Sequence, residues 1–134
     1  MDIADTTKQL SVLLVDDDKF LLDMYALKFS KNNFKVNTAQ GPEDVLKILR
    51  AGSEPDIMLL DVVMPGMDGI ELLSIIRQEN LLKNSVVIML TNQGVSDDVA
   101  RAKKLNVDGY IIKATTIPSE VLSEVQKIYS TIKK

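Results

Sequence analysis

Two hydrophobic rhythms alternate along this chain. Short apolar runs come first: Leu10–Val15 (LSVLLV), then Phe34–Ala39 (FKVNTA), where apolar and polar residues alternate, then Ile57–Asp61 (IMLLD). Ser85–Thr91 (SVVIMLT) is the most hydrophobic run, and Asp108–Lys113 (DGYIIK) is the last. Runs of this length and composition predict β-strands. Between them, apolar residues recur every three or four positions, which predicts amphipathic helices. Over Lys19–Asn32 the buried stripe is read as Phe20, Met24 and Leu27 with Leu21 beside them, with Asp18 as N-cap and Asn32-Asn33 as the stop. A second helix opens at Gly41-Pro42, buries Val45, Leu46, Ile48 and Leu49, and stops at Gly52. A third runs from Gly69 to about Glu79 with Leu72, Leu73, Ile75 and Ile76 inward. The fourth, Ser96–Asn106, has only Val99, Ala102 and Leu105 to bury; the fifth, Pro118–Ile132, has Val121, Leu122, Val125, Ile128 and Ile132.

Five strand-then-helix units with short links imply a parallel sheet with helices on both faces. Right-handed crossovers leave few topologies. The expected fold is α/β, a five-stranded flavodoxin-like sheet of order 2-1-3-4-5. Residues 1–9 are polar and aperiodic and are read as a flexible tail; 10–134 are read as one domain. The whole chain has 134 residues, enough to bury a core of its own.

Composition narrows the chemistry. No cysteine and no histidine occur. Thiolate or imidazole metal ligands, a Cys nucleophile and a Ser-His-Asp triad are therefore excluded. Any metal must sit among oxygen ligands, which favours Mg²⁺, Mn²⁺ or Ca²⁺. A net charge of −3 and a pI of about 4.9 argue against nucleic acid or an anionic membrane as partner. No apolar run is long enough to span a bilayer, and no signal segment opens the chain. A cytoplasmic protein is expected.

The polar residues that end the predicted strands form a pattern. Strand one ends in Asp16-Asp17-Asp18, strand three in Asp61, strand four in Thr91 and strand five in Lys113. In open parallel sheets, ligands bind in the crevice at these carboxyl ends. Taken singly, Asp61 could cap a turn and the aspartate triplet could open a helix, where acids suit the dipole. Taken together, carboxylates sharing one crevice repel each other and call for a divalent cation, for which Mg²⁺ suits. A carboxylate can also act as nucleophile and carry a phosphoryl group. The Thr91 hydroxyl and Lys113 ammonium can hold that group's oxygens.

These motifs resemble the receiver domain of two-component response regulators. VDDD at Val15–Asp18, LLDVVMPGMDG at Leu59–Gly69, Thr91 and GYIIK at Gly109–Lys113 carry the resemblance, which spans about Leu10 to Ile132. It implies that Asp61 accepts a phosphoryl group from a phosphohistidine on a sensor histidine kinase or histidine phosphotransfer protein. It implies Mg²⁺ held by Asp16, Asp17, Asp61 and the Val63 carbonyl, with Thr91 and Lys113 closing on the phosphoryl group. Tyr110 matches the family's aromatic switch residue.

Such a domain would signal through its helix 4–strand 5–helix 5 face to a downstream protein, and its only chemistry would be self-phosphorylation and self-dephosphorylation. A phosphorylation-dependent homodimer is left open. Two departures stand out: Ala114 replaces the usual proline after the lysine, and Asn92 with Gln93 follows Thr91. Val63 offers attacking water no hydrogen bond, so slow self-dephosphorylation is expected. Three alternatives are weaker. A phosphatase of the haloacid dehalogenase type would want an acid at Val63. A flavin or nucleotide binder would want glycine or hydroxyl groups where three aspartates stand. A pseudo-receiver that works without phosphorylation would not need Asp61, Thr91 and Lys113 together.

Overall fold

Five parallel strands form one sheet, and its order is β2-β1-β3-β4-β5. The strands are β1 (Leu10–Val15), β2 (Phe34–Ala39), β3 (Ile57–Asp61), β4 (Val86–Thr91) and β5 (Gly109–Ile112). The helices are α1 (Lys19–Lys31), α2 (Pro42–Arg50), α3 (Gly69–Gln78), α4 (Ser96–Lys104) and α5 (Pro118–Ile132). The computed structural model describes residues 9–91, 96–112 and 117–133. The expected fold and strand order are both observed, and the predicted elements match within one or two residues.

Alternate residues of each strand face opposite layers, which gives two cores. On one face Leu13, Val15, Met58, Leu60, Val87 and Met89 meet α2, α3 and α4 through Val45, Leu49, Leu72, Leu73, Ile76 and Ala102. On the other, Val12, Leu14, Leu59, Ile88 and Leu90 meet α1 and α5 through Leu22, Tyr25, Phe29, Val121 and Val125. Every residue of β3 and β4 is buried, as expected for central parallel strands. Ser11 and Asp56 lock the opposite end of the sheet. The Ser11 N–H and Oγ–H both donate to Asp56 Oδ2, at 2.9 and 3.2 Å.

Two predicted faces are corrected. Phe20, Met24 and Leu27 lie outside the core, at 73%, 38% and 58% exposure. Instead α1 buries Leu22, Tyr25 and Phe29. The helix carries two apolar stripes at the same spacing, and the larger aromatic one wins the sheet. Phe29 also meets Phe34 of β2 edge to face, with ring centroids 5.1 Å apart. Ile132 is the other: it lies in the last turn of α5, beyond the edge of the sheet, and is 47% exposed.

The links into β2, β4 and β5 use left-handed backbone at Asn33, Asn80, Leu82 and Asn106. Three of these are asparagine, which tolerates that region best after glycine. Arg77 ties two of the links together. Its Nε and Nη2 donate to the Leu105 and Asn106 carbonyls at 3.0 and 3.2 Å, and its Nη1 donates to the Leu82 carbonyl at 3.1 Å. Burial lowers the pKa of this guanidinium, against the opposing pull of Asp108.

Candidate functional site: an acidic crevice at the strand ends

The three aspartates after β1 do different work. Asp18 is the N-cap of α1; its Oδ1 accepts from the Phe20 and Leu21 N–H groups at 3.0 and 3.3 Å. Asp16 is only 2% exposed, and its Oδ1 accepts from the Asp18 N–H at 2.9 Å. Its own N–H donates to the Ala39 carbonyl at 3.2 Å. Asp17 is exposed. The triplet thus divides between capping a helix and facing the crevice.

Asp61 ends β3, beside β1, and is 2% exposed. Oxygens from Asp16, Asp17 and Asp61 lie within 4.8 Å of one another. Three like charges this close favour a cation among them. The donors are all hard oxygens, and with neither thiolate nor imidazole in the chain the set fits Mg²⁺ or Ca²⁺.

The turn after Asp61 is held from two sides. The Val62 N–H donates to the Leu90 carbonyl at 3.2 Å, and the Val62 carbonyl accepts from the Gly69 N–H at 2.7 Å. The Val63 N–H reaches Asp61 Oδ1 at 3.3 Å, while the Val63 side chain is 61% exposed. Asp68 caps α3 in a reciprocal capping box. Its Oδ1 accepts from the Glu71 N–H at 2.8 Å, and Glu71 Oε1 accepts from the Asp68 N–H at 3.2 Å.

Thr91 ends β4 and is 2% exposed, paired in register with Ile112 of β5. Tyr110 lies two residues earlier on β5, half-buried, and packs on the α2–α3–α4 core. Lys113, Asn92, Gln93 and Ala114 lie outside the described residues. The structure therefore brings together Asp16, Asp17 and Asp61 as predicted, with Val63 on the turn beside them.

Sequence reasoning missed Gly69 and Asp68 as supports of this site. For Asp68 a signal existed: the D-x-x-E spacing of Asp68 and Glu71 marks a capping box. For Gly69 the Asp-Gly pair signalled only a turn.

A doubly wound parallel sheet of this strand order, with an acidic crevice at its carboxyl edge, defines a class of flavodoxin-like α/β domains. Within that class, residues 12–126 match the family model of the response regulator receiver domain, and the chain belongs to that family. It is 32% identical over 125 residues to the transcriptional regulatory protein ResD of Bacillus subtilis, covering 92% of this chain and 50% of that protein. It is 35% identical over 103 residues to the transcriptional regulatory protein AfsQ1 of Streptomyces coelicolor, covering 77% of this chain and 44% of the other. The chain thus spans about half the length of the curated relatives it matches. Among solved structures, a CheY-like receiver domain from Methanospirillum hungatei superposes with TM-score 0.82 at 22% identity, over 92% of this chain and 96% of that one. The receiver domain of a Francisella response regulator superposes with TM-score 0.79 at 28% identity, over 93% and 100%.

Proposed function

We propose that this chain is a phosphorylation-driven signalling switch with Asp61 as the acceptor. The observation that carries the reading is the convergence of Asp16, Asp17 and Asp61 at the ends of two adjacent central strands. The donor would be a phosphohistidine on a sensor histidine kinase or a histidine phosphotransfer protein. An Asp61 oxygen attacks the phosphorus, the N–P bond breaks, and the leaving imidazole nitrogen takes a proton. Asp16, Asp17, Asp61 and the Val63 carbonyl would hold Mg²⁺, which when bound offsets the negative charge gathered on the carboxylates and phosphoryl oxygens.

The chain's own residues supply the response. The Thr91 hydroxyl and the Lys113 ammonium would each hold a phosphoryl oxygen. Because Thr91 is in register with β5, a shift there is felt near Tyr110, the proposed aromatic switch. The output face would be α4, β5 and α5, read by a downstream protein or by a second copy. The exposed Phe20–Met24–Leu27 stripe lies on α1, which opens directly after the aspartate triplet, and would give a phosphodonor an apolar surface. The Val63 alkyl side chain cannot hydrogen-bond an attacking water, which favours a long-lived phosphorylated state.

Intact mass after incubation with acetyl phosphate tests the reading. A Mg²⁺-dependent gain of one phosphoryl group is expected, absent in Asp61→Asn. No gain in the wild type with or without Mg²⁺ overturns it and leaves a module that binds partners unphosphorylated.

A further inference from the structure

Gly69 opens α3 directly against the acceptor's backbone. A Cβ there would lie well inside contact distance of the Asp61 carbonyl oxygen, and 3.1 Å from both the Asp61 carbonyl carbon and the Val62 Cα. The backbone at Gly69 is not left-handed. The position therefore uses the missing side chain rather than the conformational freedom of glycine.

We propose that Gly69 is a positioning residue that holds the Asp61–Val63 turn rigid enough for the acidic site to prefer Mg²⁺ over Ca²⁺. The inference rests on the reading of Asp16, Asp17 and Asp61 as a metal site. Two groups expected to hold the ion, the Asp61 carboxylate and the Val63 carbonyl, leave the chain within this one turn. The turn is pinned by the Leu90 carbonyl on one side and the Gly69 N–H on the other. α3 cannot easily back away, because Asp68 caps it and Ile70, Leu72 and Leu73 are buried. An added methyl at position 69 must therefore displace the turn.

The choice of ion follows from coordination chemistry. Mg²⁺ demands short, near-octahedral oxygen ligands, whereas Ca²⁺ accepts six to eight in flexible arrangements. The clash at Gly69 is with backbone and lies far inside contact distance, so the turn would have to move by on the order of an ångström, which penalises Mg²⁺ far more than Ca²⁺. Gly109 supplies a control: a Cβ there meets the tip of the Ile128 side chain, with Cδ1 at 2.6 Å, remote from the acidic cluster.

Calorimetric titration of Mg²⁺ and of Ca²⁺ into the wild type, Gly69→Ala and Gly109→Ala, each checked for folding by circular dichroism, tests this. Gly69→Ala is expected to lose roughly tenfold in Mg²⁺ affinity while Ca²⁺ affinity stays within about twofold. Gly109→Ala keeps the wild-type ratio. If Gly69→Ala does not fold, Asp68→Ala, which loosens the first turn of α3 without adding bulk, decides; it is expected to shift the ratio the same way by about threefold. An unchanged Mg²⁺/Ca²⁺ ratio in the deciding variant overturns the proposal, including when both affinities fall together. A wild type that binds neither ion overturns the metal reading itself.

Discussion

The acidic edge of the sheet and the α4–β5 side are built by different means. Around Asp16 and Asp61, backbone holds backbone. β1, β3 and β4 are buried along nearly their whole length, and the turn after Asp61 is hydrogen-bonded on both sides. On the other side, β5 buries only Ile111, and of the described α4 side chains only Ala102 is buried. That helix is held by a few discrete contacts instead. Arg77 grips the carbonyls just past its C-terminal end, and Arg101 reaches Asp68 at 3.7 Å. The difference separates two requirements of a switch. In the proposed switch, the edge that would hold the ligand gains from staying fixed, whereas the edge that would respond needs alternatives only slightly higher in free energy.

Core truncation should expose this contrast most strongly. Leu73→Ala, in a fully buried α3 site, is expected to cost about 3 kcal/mol in urea unfolding. Leu105→Ala, half-buried just past α4, should cost only about 1 kcal/mol. Equal losses would break the comparison. Arg77→Met comes next. It keeps the apolar stem but leaves three carbonyls without their donor, so a loss of about 2 kcal/mol is expected. Hydrogen exchange should then quicken in the last turn of α4 while β1 and β3 keep their protection. Uniform quickening would mean that Arg77 supports the whole fold rather than one helix.

The smallest expected effect concerns the Arg50–Glu79 pair, which joins α2 to the end of α3 at 2.8 and 2.5 Å. Its hydrogen bond to Arg50 holds the Glu79 carboxyl below its usual pKa. A carboxylate with a depressed folded pKa stabilises the fold above its unfolded pKa, and that contribution is lost as pH falls through the folded value. Glu79→Gln should therefore slightly lower stability near neutral pH and make no difference once the pH has fallen below the depressed folded value of Glu79. A deficit that persists in acid would point to packing instead.

The positions of β1, β3 and β4 were legible because apolar runs ending in Asp or Thr leave little choice of boundary, whereas β2 was marked by its alternation of apolar and polar residues. The acidic cluster was legible too, since topology alone sets β1 beside β3. The face of α1 was not. Phe20, Met24 and Leu27 share their spacing with Leu22, Tyr25 and Phe29, and only the neighbouring Phe34 and α5 decide between them. Arg77 looks like a surface charge in the sequence, because its acceptor Leu105 lies 28 residues on. Gly69 was hidden for a related reason: what it must avoid is the carbonyl of another segment, which no local pattern records.

The left-handed residues Asn33, Asn80, Leu82 and Asn106 all precede strands, at the end of the sheet opposite Asp61. The chain therefore reverses tightly at one pole and keeps its chemistry at the other. Between α2 and β3, on the tight pole, residues 51–54 are all exposed. This makes that loop the natural splice point for a reporter domain. Cargo inserted there would ride on the pole of the molecule opposite the acidic crevice.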